Sequence, residues 1–160
     1  LIAFLKKQSK HLKGLDWLKT VYRPMICPFD ELLSEIPIGS RILDVGCGGG
    51  TFLSLVANYA KPKSIAGIDI DSSAIERAKQ LLKPYENSIK VEIQNFDGIN
   101  IPNSISEADR VFLIDVMHHI PPVQKQPFLK SLWEHMTPGA FLILKDIDSS
   151  DKLYCLFNKL

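Results

Sequence analysis

The chain has 160 residues, of which 46% are hydrophobic and 23% charged. This composition is typical of one compact soluble domain. The formal net charge of +1 provides no global field that would attract nucleic acid or an anionic membrane, so we expect no nucleic-acid partner and a local ligand site. No apolar run approaches the roughly 20 residues of a membrane-spanning helix, and the first residues lack the cleavage site of a signal peptide.

The cysteines are odd in number and far apart, at Cys27, Cys47 and Cys155, and no pair has metal-ligand spacing. We therefore expect no metal site, and a reducing, cytoplasmic location. The chain opens with Leu1 rather than methionine, which favours a fragment or a trimmed sequence.

Five apolar runs of strand length alternate with amphipathic stretches, a pattern that predicts parallel strands joined by crossover helices. Four runs are almost continuously aliphatic, as strands buried on both faces are. The other run alternates apolar and polar residues, which favours a strand nearer a sheet edge. The four are Ile42–Val45, Ser64–Ile70, Arg110–Asp115 and Ala140–Lys145, and the alternating run is Ile89–Phe96. The predicted fold class is α/β, a doubly wound, Rossmann-like, mostly parallel sheet with helices on both faces.

Two helices are predicted between these strands. For Ser72–Leu82, Ser72 or Ser73 is an N-terminal cap, and Glu76 completes the spacing of a capping box from Ser73. The second helix spans Pro127–Met136 and is ended by a Thr-Pro-Gly turn.

The richest chemistry follows the first strand, where glycines 46, 48 and 50 allow a tight turn and close approach of a ligand at the start of a helix. Asp44 precedes them at the carboxyl end of the strand, where open α/β sheets bind ligands. This carboxylate only accepts hydrogen bonds, so it suits an ammonium or hydroxyl better than a phosphate. The alternative is a plain glycine-rich turn in which Asp44 is a cap.

Two further acids follow later strands. Asp69 ends the second strand, about 25 residues after Asp44, which is near the distance expected for a ribose-binding acid; Asp71 is expected to cap the next helix. Phe96 and Asp97 follow the alternating run, where an aromatic wall beside an acid can hold a purine. The alternative for this second pair is a simple polar turn.

Together with Asp115–Ile120 and Thr137–Ala140, these motifs resemble the ordered motifs of class I S-adenosylmethionine-dependent methyltransferases of the small-molecule type. The resemblance covers Ile38–Asp148 and implies S-adenosyl-L-methionine as cofactor. It implies that the glycine loop, Asp44, Asp115 and Val116 surround the methionine part, Asp69 binds the ribose, and Phe96 and Asp97 bind the adenine. The cofactor residues predicted in this way are Asp44, Gly46, Cys47, Gly48, Gly50, Asp69, Ile70, Phe96, Asp97, Asp115 and Val116.

The resemblance also places Met117–Ile120 against an unidentified small-molecule acceptor. The sulfonium methyl group is electrophilic, so the protein mainly positions the reactants, and a base is optional. His119 is the candidate catalytic base and His118 a weaker one; the alternative is that one ring packs on the core while the other is solvated. A metal held by Asp115 and both histidines lacks a visible further ligand.

By the same resemblance, residues 1–36 form an N-terminal helical lid or cap, and residues 37–160 form the cofactor-binding core, truncated before the family's C-terminal strand hairpin. Residues 1–23 carry six basic side chains and one acid at loosely helical apolar spacing. Packing of this helix on the domain is favoured over contact with a membrane surface or an anionic substrate. Arg23 is either a partner for a carboxylate or part of a proline-containing connector.

Two other functions stay open. A nicotinamide-dependent oxidoreductase is disfavoured because its fingerprint requires glycine or alanine at the position of Thr51. A non-catalytic relative that retains cofactor binding has the same motifs. Nucleic-acid methylation is disfavoured by the low net charge and the absence of a basic patch interleaved with aromatics. The oligomeric state is not predicted.

Overall fold

The structure is a computed structural model that describes residues 1–10 and 13–146. Seven α-helices and five β-strands occur in these ranges, together with 3-10 turns at Arg23–Met25, Lys83–Tyr85 and Met117–His119. The helices are α1 Ile2–Gln8, α2 Gly14–Tyr22, α3 Phe29–Ser34, α4 Thr51–Tyr59, α5 Ser72–Leu82, α6 Ser104–Glu107 and α7 Pro122–His135. The strands are β1 Arg41–Val45, β2 Ser64–Asp69, β3 Lys90–Asn95, β4 Arg110–Ile114 and β5 Phe141–Lys145.

The five strands form one parallel sheet in the order β3-β2-β1-β4-β5. All five predicted strands are confirmed to within about a residue at each end. The chain order reverses at β1, which pairs with β2 on one side and with β4 on the other. In doubly wound sheets, ligands bind outside the carboxyl ends of the strands at this point. The topology therefore places the glycine turn after β1 in the expected crevice.

Burial follows the position of each strand in the sheet. The central strands β1 and β4 are buried after their first residue, and β3 is half-exposed at the edge, as its alternating sequence predicts. The prediction that β5 is buried on both faces is wrong. Phe141 is 59% exposed and Leu144 47% exposed, because within the described residues β5 pairs only with β4.

Each face of the sheet has its own apolar core, as a doubly wound fold requires. On one face, helices α1, α3, α4 and α5 contribute to a cluster in which the Phe52 ring lies 5.6 Å from Phe29 and 4.9 Å from Phe112. On the other face, Leu132 of α7 and Ile105 of α6 pack on β4. The α/β doubly wound prediction is confirmed.

Helix ends differ from the prediction in two places. Helix α5 has the predicted limits, but its cap is Asp71, whose carboxylate accepts a 2.8 Å bond from the Ser73 N–H. The capping box is absent because Glu76 pairs with Lys79 instead. Helix α7 begins at Pro122, where the missing N–H costs no helical bond, and continues through an internal proline, so it starts five residues earlier than predicted.

The basic stretch of residues 1–23 contains two helices, α1 and α2, instead of the single helix predicted from its apolar spacing. This stretch packs on the domain. Leu5 of α1 is fully buried in the same cluster as β1 and α4, and the Phe4 ring contacts the Tyr59 ring edge-on at 5.5 Å. This arrangement agrees with the interpretation favoured from the sequence, in which the helix face packs on the domain.

Within residues 1–10 and 13–146, no helix is long and apolar enough to cross a membrane. The prediction that the chain ends before the family's C-terminal strand hairpin falls on residues 147–160, which lie outside the described residues.

Leu5→Ala tests the docking of α1. We expect it to lower the free energy of unfolding by about 2–4 kcal/mol, because it leaves a cavity in the main core. Leu15→Ala is the matched control, since Leu15 is 59% exposed, and it should change stability by less than about 0.5 kcal/mol. Urea denaturation measures both variants. Equal effects of the two substitutions would show that α1 does not depend on Leu5 for its packing.

Candidate functional site

A cavity of about 990 Å³ lies at the carboxyl ends of the strands. This size is at the upper end of the range for small-molecule sites. Its walls come from the turn after β1, the ends of β2, β3 and β4, the 3-10 turn at Arg23, and one side of α7. Both the polar groups of the strand ends and apolar side chains of the loops face into it, so the cavity suits a ligand with both kinds of surface.

The glycine turn is pressed against the end of β2. The N–H groups of Gly46 and Cys47 both donate to the Ile68 carbonyl, at 2.8 and 3.0 Å. Gly46 has φ +81°, and a Cβ there would lie 2.4 Å from a methyl group of Val116. Only glycine meets both conditions. The cavity floor therefore depends on this close approach of two loops.

Asp44 is the most unusual group of the site. Its side chain is buried, at 2% exposure, and its Oδ1 has no hydrogen-bond partner in the part of the chain that the structure describes. Burial, with a smaller contribution from the negative charge of Asp69, raises the pKa of Asp44 from 3.8 to about 7. The positive charge of Arg23 opposes this rise. A buried, unpartnered carboxylate is the arrangement that a cationic donor in the cavity would satisfy.

Asp69 is fixed by the backbone on both sides. Its Oδ2 accepts from the Gly48 N–H at 2.8 Å, and its Oδ1 accepts from the Asp71 N–H at 2.9 Å. Each carboxylate oxygen keeps further lone-pair capacity toward the cavity. The following residue, Ile70, is 71% exposed and lines the same wall. The pair presents an acceptor beside an apolar surface.

The predicted purine pair is divided by the structure. Phe96 is buried and lines the cavity. Asp97 does not line it, because its carboxylate accepts the N–H groups of Ile99 and Asn100 at 2.8 and 2.7 Å and the Asn100 side-chain amide at 2.6 Å. These bonds lower the pKa of Asp97. Asp97 therefore belongs to a polar turn, as the alternative interpretation of the sequence had it. Phe96 and Ile99 form the cavity wall in this region.

Asp115 is the centre of an ion-pair cluster at the end of β4. Its Oδ2 accepts from Arg23 at 2.6 Å and its Oδ1 from Lys145 of β5 at 2.5 Å. The Asp115 side chain is 3% exposed, and its φ of +56° is unusual for a residue with a Cβ. Its N–H donates to the Lys145 carbonyl. The cluster joins the N-terminal segment to the two strand ends beside the cavity.

The two histidines occupy different environments. His119 lines the cavity, whereas His118 does not and instead contacts Asp146 after β5, with Nδ1 to Oδ1 at 2.7 Å. The rings lie 3.9 Å apart. Partial burial and the neighbouring His118 lower the pKa of His119 from 6.5, and Asp146 and Asp115 oppose that shift. His119 is therefore largely neutral at neutral pH.

Most of the predicted residues meet at the cavity. Ten line it: Asp44, Gly46, Cys47, Gly48, Asp69, Ile70, Phe96, Asp115, Val116 and His119. Asp97 and Gly50 do not; a Cβ at Gly50 would lie 3.0 Å from Ala78, so this glycine serves the packing of α4 on α5. Burial raises the pKa of the Cys47 thiol, so this residue forms an apolar part of the wall.

The cavity wall also contains residues that the sequence did not predict as site residues, among them Thr20, Phe29 and Arg77. Arg77 approaches Gly49 from α5, and its Nε lies 3.8 Å from where a Cβ on this glycine would be. The apolar stripe of α5 predicts which face of the helix is buried. It does not predict that the adjacent face, which carries Arg77, contacts the glycine turn. No metal-binding group of three or more His, Cys, Asp or Glu side chains occurs within residues 1–10 and 13–146.

The part of the chain that forms most of this cavity is similar to a known protein family. A family described as "Methyltransferase domain" matches residues 43–142, which include the glycine turn, Asp69 and both histidines. The chain belongs to this methyltransferase family. The resemblance stated from the sequence motifs is thereby confirmed, and the nicotinamide-dependent alternative loses its support.

Two curated proteins similar to this chain are named as a synthase and a methyltransferase. A carboxy-S-adenosyl-L-methionine synthase of Actinobacillus succinogenes is 35% identical over 67% of this chain and 44% of its own length. A ubiquinone biosynthesis O-methyltransferase of Rickettsia conorii is 31% identical over 83% of this chain and 43% of its own length. The chain thus spans about half the length of the curated relatives it matches. A crystal structure of a SAM-dependent methyltransferase from Aquifex aeolicus shares the fold, with a TM-score of 0.71 at 22% identity over 86% of this chain and 73% of the other.

Asp44→Asn tests the buried carboxylate. Because the pKa is raised to about 7 in the folded protein, the ionised form opposes folding, and stability is lost as pH rises from 3.8 through 7. The amide removes that loss, so near pH 8 the variant should be more stable than the wild type by up to about 4 kcal/mol, with little difference near pH 4.

Asp97→Asn provides a control of opposite sign. Its lowered pKa means that the ionised form favours folding, so the amide should reduce stability near pH 8. Thermal unfolding at several pH values measures both variants. A destabilised Asp44→Asn protein near pH 8 would contradict the unpartnered state of Asp44.

Proposed function

We propose that this domain binds S-adenosyl-L-methionine and takes part in methyl transfer to a small-molecule acceptor. The observation that carries the proposal is the buried Asp44 carboxylate with its unpartnered Oδ1 beside the glycine turn. An ammonium group, such as that of a methionine moiety, would satisfy this oxygen and offset its burial. Membership in the methyltransferase family supports the same cofactor.

The other cavity residues fit the remaining parts of this cofactor. Asp69 is oriented by the Gly48 and Asp71 N–H groups and has lone pairs left for two ribose hydroxyls. Ile70 and Phe96 offer flat apolar surface for a purine. Because the carboxylate of Asp97 is engaged in its own turn, we assign the adenine to the apolar walls and to the loop backbone near Gly98.

When bound, the cofactor supplies a methyl group made electrophilic by a sulfonium. The chain's own contribution is to hold the acceptor in line with that methyl and, where the acceptor carries a proton, to remove it. His119 is the base that we propose, because it lines the cavity and its lowered pKa keeps it neutral. The relative named as an O-methyltransferase supports an oxygen atom as the acceptor.

We further propose that the N-terminal segment, residues 1–36, acts as a lid over a core formed by the rest of the chain. Arg23 lines the cavity and reaches Asp115, 92 residues later in the chain, at 2.6 Å. The Arg23 side chain is 32% exposed, and its guanidinium has further donors for a carboxylate in the cavity. An Arg23 held in this way closes one side of the cavity.

Calorimetric titration with S-adenosylmethionine, S-adenosylhomocysteine and NAD tests the cofactor. We expect micromolar binding of the two sulfur nucleotides and none of NAD. Asp69→Ala should weaken binding by roughly 10- to 100-fold through loss of a charged hydrogen-bond acceptor. Asp71→Asn is the matched control, because it keeps an N-cap side chain outside the cavity wall and should leave affinity unchanged. Binding of NAD alone would overturn the proposal.

Arg23→Met tests the lid. We expect S-adenosylhomocysteine to dissociate about tenfold faster, because the variant loses the ion pair that closes the cavity. Arg41→Met breaks an ion pair of the same 2.6 Å length at the opposite end of β1, and it should leave the dissociation rate unchanged. Stopped-flow displacement measures both rates. Equal rates in wild type and Arg23→Met would exclude a lid function for Arg23.

A further inference from the structure

The end of β4 carries two adjacent histidines on one short 3-10 turn, Met117–His119. His119 lines the cavity, and neither of its ring nitrogens has a hydrogen-bond partner in the part of the chain that the structure describes. An imidazole in this setting is free to accept a proton from a ligand. Its orientation, however, must come from its neighbours rather than from a hydrogen bond of its own.

His118 is held by two bonds to one carboxylate. Asp146 Oδ1 lies 2.7 Å from His118 Nδ1, and Asp146 Oδ2 accepts the His118 backbone N–H at 3.1 Å. Both side chains are mostly buried, at 24% and 16% exposure. Asp146 follows β5, so the end of one strand fixes both the backbone and the ring at the end of the adjacent strand. The bond to Nδ1 also selects a proton on that nitrogen.

The fixed His118 ring is in turn the support of His119. The two ring centroids are 3.9 Å apart with a tilt of 43°, which is direct contact between the imidazoles. A chain of contacts therefore runs from Asp146 through His118 to the ring that faces the cavity. None of these contacts involves the cofactor-binding turn after β1.

Four charged or titratable groups surround His119, one on its own turn and three elsewhere in the fold. They are His118 on its own turn, Asp146 after β5, Asp115 at the end of β4 and Arg23 in the N-terminal segment. His118 and Arg23 lower the pKa of His119 together with partial burial, whereas the two carboxylates raise it. The lowering effects prevail, and the repulsion from His118 is the largest of the charge effects.

We propose that Asp146 and His118 form a positioning pair that fixes the His119 imidazole and directs it at the acceptor. This inference rests on the proposed methyl transfer and narrows the acceptor to one whose nucleophile carries a proton, such as a hydroxyl group. The O–H bond breaks as its proton passes to a ring nitrogen of His119. The electron pair left on oxygen would bond to the methyl carbon as the methyl–sulfur bond breaks, and the pair of that bond would stay on sulfur, giving a neutral thioether.

Histidine NMR tests this arrangement without an acceptor. The chain has only four histidines, so single His→Asn variants assign every ring signal. At a pH high enough for both rings to be neutral, we expect His118 of the wild type to carry its proton on Nδ1, which the ring 15N shifts report. Asp146→Ala should move that proton to Nε2 and remove the ring-current shift that His118 imposes on His119.

His118→Asn separates charge from structure. The asparagine amide can keep a bond to Asp146 while the second imidazole is lost, so the turn is retained. The pH titration midpoint of His119 should then shift upward toward its ordinary value, because no second imidazolium forms beside it as the pH falls. His135→Asn on α7 is the matched control and should leave the midpoint of His119 unchanged, since His135 bonds to Ser131 away from this turn.

Two results would overturn the pair: an Nε2–H His118 in the wild type, or an unshifted His119 midpoint in His118→Asn. Circular dichroism of both variants identifies a protein that has failed to fold, and in that case Asp146→Asn, which retains an acceptor for Nδ1–H, replaces Asp146→Ala. Failure of S-adenosylmethionine binding in calorimetry would remove the proposed function yet leave these NMR results standing, so the two failures are distinguishable.

Discussion

The structure depends on the close approach of the turn after β1 to the ends of β2 and β4. The Ile68 carbonyl accepts two successive N–H groups of this turn, and Asp69 accepts a third from Gly48. A side chain at Gly46 would collide with Val116. Because the glycine backbone takes up so little space, the cavity opens beside this turn at the carboxyl ends of the strands.

The same closeness creates an electrostatic problem at the cavity floor. Three carboxylates, those of Asp44, Asp69 and Asp115, lie within one site. Backbone N–H groups satisfy Asp69 and two cations satisfy Asp115, but Oδ1 of Asp44 has no hydrogen-bond partner among the residues that the structure describes. Its raised pKa is the consequence. A buried carboxylate whose ionised form lowers stability is characteristic of a ligand-binding site, because the ligand supplies the missing hydrogen-bond partner.

The opposite end of the cavity is organised by the ends of β4 and β5. Lys145 and Asp146 are consecutive residues, and they hold Asp115 and His118 respectively. One strand end therefore fixes both the ion-pair cluster that Arg23 joins and the turn that presents His119. The acids Asp44 and Asp69 lie at the ends of β1 and β2, whereas Asp115 and His119 follow β4, and the strand order brings these groups together.

The sequence by itself determined the α/β class, the five strands, the limits of α5 and ten of the residues that line the cavity. Those features arise from local patterns: apolar runs, glycines that need positive φ, and acids at strand ends. Tertiary structure decided what each side chain contacts. Asp97 turned into its own loop, Gly50 packed on Ala78, Arg77 entered the cavity wall, and Asp146 reached His118. These outcomes depend on distances between segments far apart in the chain, and no local periodicity encodes them.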